Sequence, residues 1–247
     1  MTGYRPKNGQ IPMEFHDVVL AKGGTHHEVN GCPIYNTRFT QVLKFHAPGL
    51  APAKDNSGSF HITLKGQPAY TARFEGTFGF YGGFAAVFDR AGWYHINCQG
   101  HAIYPERFDW CGNYQEALVP VRTRDGHYFH LNAFGKRIYE TNYLYAGDYR
   151  EGIACVRRAD GLSAHIDNLG RPAHPFVYFD LDVYHKGFAR ARDNGGWLHI
   201  GLDGKPAYEI RFAEVEPFYN GQALCRDHVG RQIIINETGE TIHHVRI

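Results

Sequence analysis

Charge of one sign is what the chain lacks first. Its 26 lysines and arginines stand against 25 aspartates and glutamates, leaving a formal net charge of +1 with the 16 histidines neutral. A balance this close supplies no global field to draw in nucleic acid or an anionic membrane. No apolar run approaches the roughly 20 residues that a bilayer-spanning helix needs. Residues 1–15 hold no apolar core of a secretory signal. The cysteines are only five, Cys32, Cys98, Cys111, Cys155 and Cys225, with no C-x-x-C among them. They are odd in number and scattered with respect to any internal pattern, so neither a disulfide nor a zinc framework is written here. They read as reduced thiols of a cytoplasmic protein. Also absent are G-x-S-x-G, a Walker-type glycine loop, H-E-x-x-H and a strand followed by G-x-G-x-x-G. No motif asks for a metal or a cofactor.

What is present is a period of 34 or 35 residues. Glycine recurs at Gly31, Gly66, Gly100, Gly135, Gly170, Gly204 and Gly239. Five residues before each stands His26, His61, His95, His130, His165 or His199, with Ile234 in the seventh copy. Four residues after come Tyr35, Tyr70, Tyr104, Tyr139, His174, Tyr208 and His243. A fixed period of this size is one supersecondary unit copied in tandem, each copy burying its neighbour's apolar face.

The pattern inside the unit decides its structure. The histidines are flanked by Phe60 and Ile62, Tyr94 and Ile96, Phe129 and Leu131, Ala164 and Ile166, Leu198 and Ile200. That alternation has a period of two and predicts a strand with one greasy face. Twenty-nine glycines and no three-and-four apolar spacing exclude a helical repeat. Upstream lies a strand of small residues, such as Ala51 and Ala53 or Val119 and Val121, suited to the crowded inner part of a tapering assembly. Pro52 and Pro120 within it predict an edge strand, because proline cannot donate to a ladder. Each copy then reads as a meander of small strand, histidine strand and tyrosine strand. The fold expected is all-β, seven tandem three-stranded antiparallel repeats, with a propeller-like ring favoured over an open β-solenoid. Residues 1–14 would form an N-terminal arm and 15–247 a single repeat domain.

One unit, Gly92-Trp-Tyr-His-Ile-Asn-x-x-Gly100-x-x-x-Tyr104-Pro105-x-x-Phe108-Asp109 followed by Tyr114-x-Glu116, resembles the WG repeat, or KWG repeat, of bacterial proteins. The stretch Arg150-Glu151-Gly152-Ile153-Ala154 is similar to the family's F-x-E-G-L-A ending. The resemblance recurs from about Thr25 to the end, with histidine where the family usually has tyrosine and Trp kept only at Trp93 and Trp197. It implies an all-β repeat with no family-wide catalytic residues, sometimes joined to catalytic domains such as methyltransferases. It therefore implies a non-catalytic binding or scaffolding module for a protein partner, possible partners including a separately encoded enzyme.

Three constellations compete with that reading. The histidine array could bind a metal or relay protons, but a semi-buried imidazole is expected to take backbone, Arg or Asp partners instead. Lys54, Arg122, Arg157, Arg192 and Arg226 could clamp an anion along one rim, unless Asp55, Asp193 and Asp227 neutralise them. The arginines of the connectors, Arg38, Arg73, Arg107 and Arg211, are expected to tie one copy to the next. Copies four and five break the pattern: Asn142 and Val177 replace arginine and His174 replaces tyrosine. Asn142 and His174, with His165, Asp167, Asp180, Asp182 and His185, are the candidates for a pocket, in the alternative reading an enzyme or a sugar-binding protein. Nucleic acid is excluded for want of a basic groove with interleaved exposed aromatics.

Far-ultraviolet circular dichroism should show β-structure with negligible helix. A helical content above about 20% would contradict the period-two reading of every copy.

Overall fold

The computed structural model describes residues 15–245, so the expected arm at 1–14 lies outside the described residues. Seven antiparallel sheets follow one another in chain order. The fourth is typical, with strands Trp110–Cys111, Leu118–Arg122 and Tyr128–Asn132 in that order. The residues group into two compact units that divide between Arg107 and Phe108. The first carries three sheets and the second four, the last of which gains a fourth strand at Thr241–His244. Among the described residues no helix is long and apolar enough to cross a membrane.

The make-up of each sheet departs from expectation in two ways. The tyrosine segment is generally not a ladder strand: Tyr70 and Tyr104 sit in bends and Tyr139 in irregular chain, beside isolated bridges such as Leu131↔Arg137. The third strand comes instead from the connector, as at Gln41–Val42, Tyr145–Ala146 and Asp180–Leu181. The small-residue strand is consequently central, Ala51–Asp55 pairing with Gln41–Val42 on one side and Gly58–Ile62 on the other. Proline is tolerated there for a local reason. The Pro52 carbonyl accepts from Leu43 N–H at 2.9 Å, while the Leu43 carbonyl accepts from the His27 ring at 2.9 Å. The ladder bond that Pro52 could not make is thus not asked of it. Small side chains stay necessary: Ala51, Ala85, Val87, Val119, Val121, Ala154, Val156 and Ala191 are all fully buried.

The repeated histidine joins neighbouring sheets. Its Nε2–H donates to a carbonyl of the following sheet: His61 to Phe78 at 2.7 Å, His130 to Gly147 at 2.8 Å, His165 to Asp182 at 2.7 Å, His199 to Glu216 at 2.8 Å. A carbonyl can only accept, so the neutral ring carries its proton on Nε2 and Nδ1 accepts. Tyrosine hydroxyls donate to Nδ1, Tyr104 to His95 and Tyr139 to His130 at 2.5 Å, Tyr208 to His199 at 2.6 Å, and Tyr70 to His61 likewise. The aromatic of the next connector packs on the imidazole, Phe80 on His61 at 4.5 Å and Tyr149 on His130 at 4.6 Å between ring centroids. In the first copy the residue in this role is His27, bonded to Tyr35 at 2.5 Å, and not His26, which contacts Glu28. The first copy is one residue shorter between histidine and tyrosine, and counting back from Gly31 misses by that residue.

The periodic glycine completes the joint. A Cβ on Gly66 would lie 2.5 Å from the Tyr35 ring of the preceding copy, and its φ of +69° is left-handed. Only glycine satisfies both the turn and the close approach. The connector arginines do not tie copies together as expected. Arg73 Nη1 donates to the carbonyls of Tyr70, Thr71 and Ala72, closing the turn of its own copy, and its guanidinium lies 3.9 Å over the Phe60 ring.

Burial holds His61, His130, His165 and His199 at a pKa of about 4 in the folded chain. An unfolded histidine titrates near about 6.5, so the unfolded chain takes up protons that the folded one refuses. Stability is therefore complete above that value and falls as pH drops towards 4, by about 1.4 kcal/mol per histidine per unit. Melting followed by circular dichroism should show Tm falling steadily from pH 7 to 5, and a flat profile would contradict buried neutral rings. His130→Leu strands the Tyr139 hydroxyl and the Gly147 carbonyl, and should cost about 2–4 kcal/mol with a shallower pH slope.

Candidate functional site

The fold does not gather the seven residues expected to form a pocket into one place: Asn142 and His174 line one hollow, Asp182 and His185 another. His165 is fully buried and spent on the joint, with Asp182 O on one nitrogen and His174 Nε2 on the other at 3.0 Å. Since His165 Nδ1 accepts, His174 donates from Nε2. Its own Nδ1 is buried and makes no hydrogen bond of good geometry, with the Phe176 backbone beside the ring. Asp167 caps a turn, accepting from the backbone of Leu169 and Arg171. Asn142 accepts from Arg137 at 2.7 Å. Arg137 also bonds the carbonyls of Tyr139, Glu140 and Thr141, doing from the other side what the missing connector arginine does elsewhere.

The basic rim is neutralised, but by acids other than those expected. Arg122 pairs with Asp109 at 2.8 Å, and Arg226 with Glu214 at 3.1 Å. Asp180 takes both Arg157 at 3.0 Å and Arg192 at 2.6 Å. All these acids lie on or beside the short first strands, opposite the arginines in register; Asp180↔Arg192 and Glu214↔Arg226 are direct cross-strand pairs. Asp193 and Asp227 are occupied with Arg211 and Arg231, and Asp55 with Ser57. Lys54 is exposed. Four paired arginines do not present the open anion clamp that the sequence suggests.

Asp182 and His185 do reach a common site. A cleft of about 740 Å³ within the second unit is lined by Gln115, Tyr145, Asp148, Arg150, Asp182, His185 and Tyr219. Each of the fourth to seventh sheets contributes from one segment, the run from its short strand through the connector aromatic. Tyr149, Tyr184 and Phe218 are pinned inward on His130, His165 and His199, and the residues that follow them, Arg150, His185 and Tyr219, line the cleft, as does Gln115 after Tyr114. Tyr145 and Tyr219 are 50% and 59% exposed, leaving both rings open for contact. His185 lies 5.5 Å from Tyr219 between centroids, and its buried Nε2 has no partner in the described structure. Desolvation raises the Asp148 carboxyl above its ordinary range, while Asp182 is held by Arg190 at 2.6 Å.

This lining suits recognition better than covalent chemistry. Cys155, the thiol in the cleft wall, donates to the Leu181 carbonyl at 2.9 Å, and burial pushes its pKa up to about 12. A thiol so raised is a poor nucleophile near neutrality. Tyr145, Asp148, Arg150 and Tyr219 escape sequence reasoning centred on symmetry breaks. The signal for Arg150 and Tyr219 was a varied position just after one that never loses its aromatic.

No protein-family model matches the chain, and no curated protein matches it in sequence. Solved structures match by shape. BamB from Moraxella catarrhalis is similar over 87% of this chain and 77% of its own, with a TM-score of 0.50 at 13% identity. A eukaryotic initiation factor is similar over 92% and 68% respectively, with a TM-score of 0.51 at 9% identity. Seven successive antiparallel sheets and these likenesses make the fold all-β and propeller-like.

His174→Tyr should replace the poorly bonded nitrogen with the hydroxyl used elsewhere in the repeat. A gain of about 1 kcal/mol, read as a rise in Tm of roughly 2–4 °C, is expected. A lower Tm would mean that the imidazole nitrogen is satisfied after all.

Proposed function

We propose that the chain is a non-catalytic binding module of WG-repeat type that engages a protein partner, in the cytoplasm, through the cleft of the second unit. One observation carries the reading: the scaffold positions are nearly uniform from copy to copy, whereas the position facing the cleft is Gln115, Arg150, His185 and Tyr219 in four consecutive sheets. Uniform positions serve packing, and a varied row with open tyrosines suits a surface matched to one partner. Tyrosine offers large contact area at small entropic cost and is enriched where interfaces gain their affinity. A sugar is the second reading, favoured by Tyr145 and Tyr219 as stacking surfaces beside the Asp148 carboxyl.

The test is affinity purification with identification of bound proteins, followed by titration of the partner against Tyr145→Ala/Tyr219→Ala. Both side chains are half-exposed, so Tm should stay within about 2 °C. Affinity should fall at least about tenfold. Unchanged affinity would remove the cleft from consideration, and retention on an oligosaccharide resin, lost in the same variant, would favour the sugar.

A further inference from the structure

A second hollow, of about 580 Å³, lies where the repeat is broken, between the fourth and fifth copies. Its floor is formed by Tyr143, Ala164 and Val177 beside His174, and its rim carries Asn142, Arg158 and Asp160. The rest of the chain shows what is missing from it. Before the histidine of the second, third and fourth sheets stands an aromatic, Phe60, Tyr94 or Phe129. Each ring meets the preceding connector aromatic edge-on: Phe39 on Phe60 at 6.0 Å and 69°, Phe74 on Tyr94 at 6.2 Å and 71°, Phe108 on Phe129 at 5.9 Å and 76°. Each ring is also covered by a guanidinium, Arg73 at 3.9 Å, Arg107 at 3.5 Å and Arg137 at 4.1 Å.

In the fifth copy all of these are truncated together. Ala164 stands in the place of the ring, Val177 in that of the connector arginine, and Pro172 in that of Arg137. Tyr143 keeps its contact with Tyr139 at 5.6 Å but faces an alanine where its equivalents face a ring. The sixth copy, by contrast, fills the ring position with the fully buried Leu198 and keeps Arg211.

We propose that this hollow binds an aromatic side chain, phenylalanine or tyrosine, presented by an extended segment of a protein partner. The incoming ring takes the place of the absent one. It meets Tyr143 edge-on, the geometry aromatic pairs prefer, and packs on Ala164 and Val177. Arg158, now paired with Asp160 at 2.7 Å, stands at the rim, where a guanidinium can cover the ring as arginine does in three other copies. An aliphatic side chain would fill the space without completing either contact. The proposal shares with the preceding one the reading of a partner-binding module, but it concerns a different surface and is tested without the partner.

The probe is N-acetyl-Gly-Phe-Gly-amide, titrated while the methyl resonances of Ala164 and Val177 are followed by NMR. Saturable shifts with a Kd of about 1 mM or below are expected for a ligand this small. The Ala counterpart should bind at least about tenfold more weakly. Ala164→Phe/Val177→Arg rebuilds the ring and its cover and should abolish binding while raising Tm. Should the double variant fold poorly, Val177→Arg alone, at a half-buried position, should still weaken binding. Tyr145→Ala/Tyr219→Ala should bind the peptide as the parent does, which separates failure here from failure of the cleft. No saturation by about 10 mM, equal binding of the Ala peptide, or binding that survives the filling substitutions would overturn the proposal. So would shifts produced by toluene but not by the peptide.

Discussion

A neutral imidazole with both nitrogens engaged is the interaction on which the assembly depends. Each sheet of three short strands is too small to bury its own faces and needs its neighbour. The joint between neighbours is polar at its centre: the histidine accepts from a tyrosine of its own copy and donates to a carbonyl of the next sheet. Around that pair everything is apolar, since a connector aromatic covers the imidazole and the tyrosine ring lies on the glycine of the following turn. A buried polar group that is fully satisfied specifies one geometry, and one left half-satisfied is costly. The bond directions determine which way each sheet faces the next, which greasy surfaces alone would leave loose.

The same joint explains which positions are free to change. Histidine, tyrosine, glycine and the connector aromatic are bound to one another and vary little. His174 is the exception that retains the bond to His165 while leaving its other nitrogen without a hydrogen bond of good geometry. Charges on the sheets are consumed locally, arginines by acids across the strand or by carbonyls of their own turn. What remains uncommitted are the residue after each connector aromatic and the ring with its guanidinium before each histidine. The first is diversified along the cleft; the second is cut back to alanine, with its arginine lost, in the fifth copy. Both surfaces owe their existence to a scaffold whose other positions are fully occupied.

Symmetry breaking in copies four and five was legible, but its meaning was not. Asn142, His174 and Val177 stood out by type, and the polar residues near them suggested one polar pocket. The fold sends His165 and His174 inward, Asp167 into a turn, Asp180 to the rim and only Asp182 and His185 to the cleft. The deletion that matters at the broken copy is apolar: an alanine in a run of rings, visible only once Tyr143 is seen to face it.

Period, strand character and the count of seven units were determined by the sequence alone, because each follows from spacing along the chain: recurrence at 34 or 35, alternation at two, glycine where the chain turns. Which strand is central, which histidine serves in the first copy and which acid meets which arginine were decided by tertiary structure. Those depend on pairing between segments some 8 to 20 residues apart, where a one-residue difference reverses the face a side chain presents. Proline at Pro52 shows the limit most plainly. Read along the chain it marks an edge, yet in the sheet it is central, because the carbonyl its missing N–H would have met is already held by His27 from the neighbouring sheet.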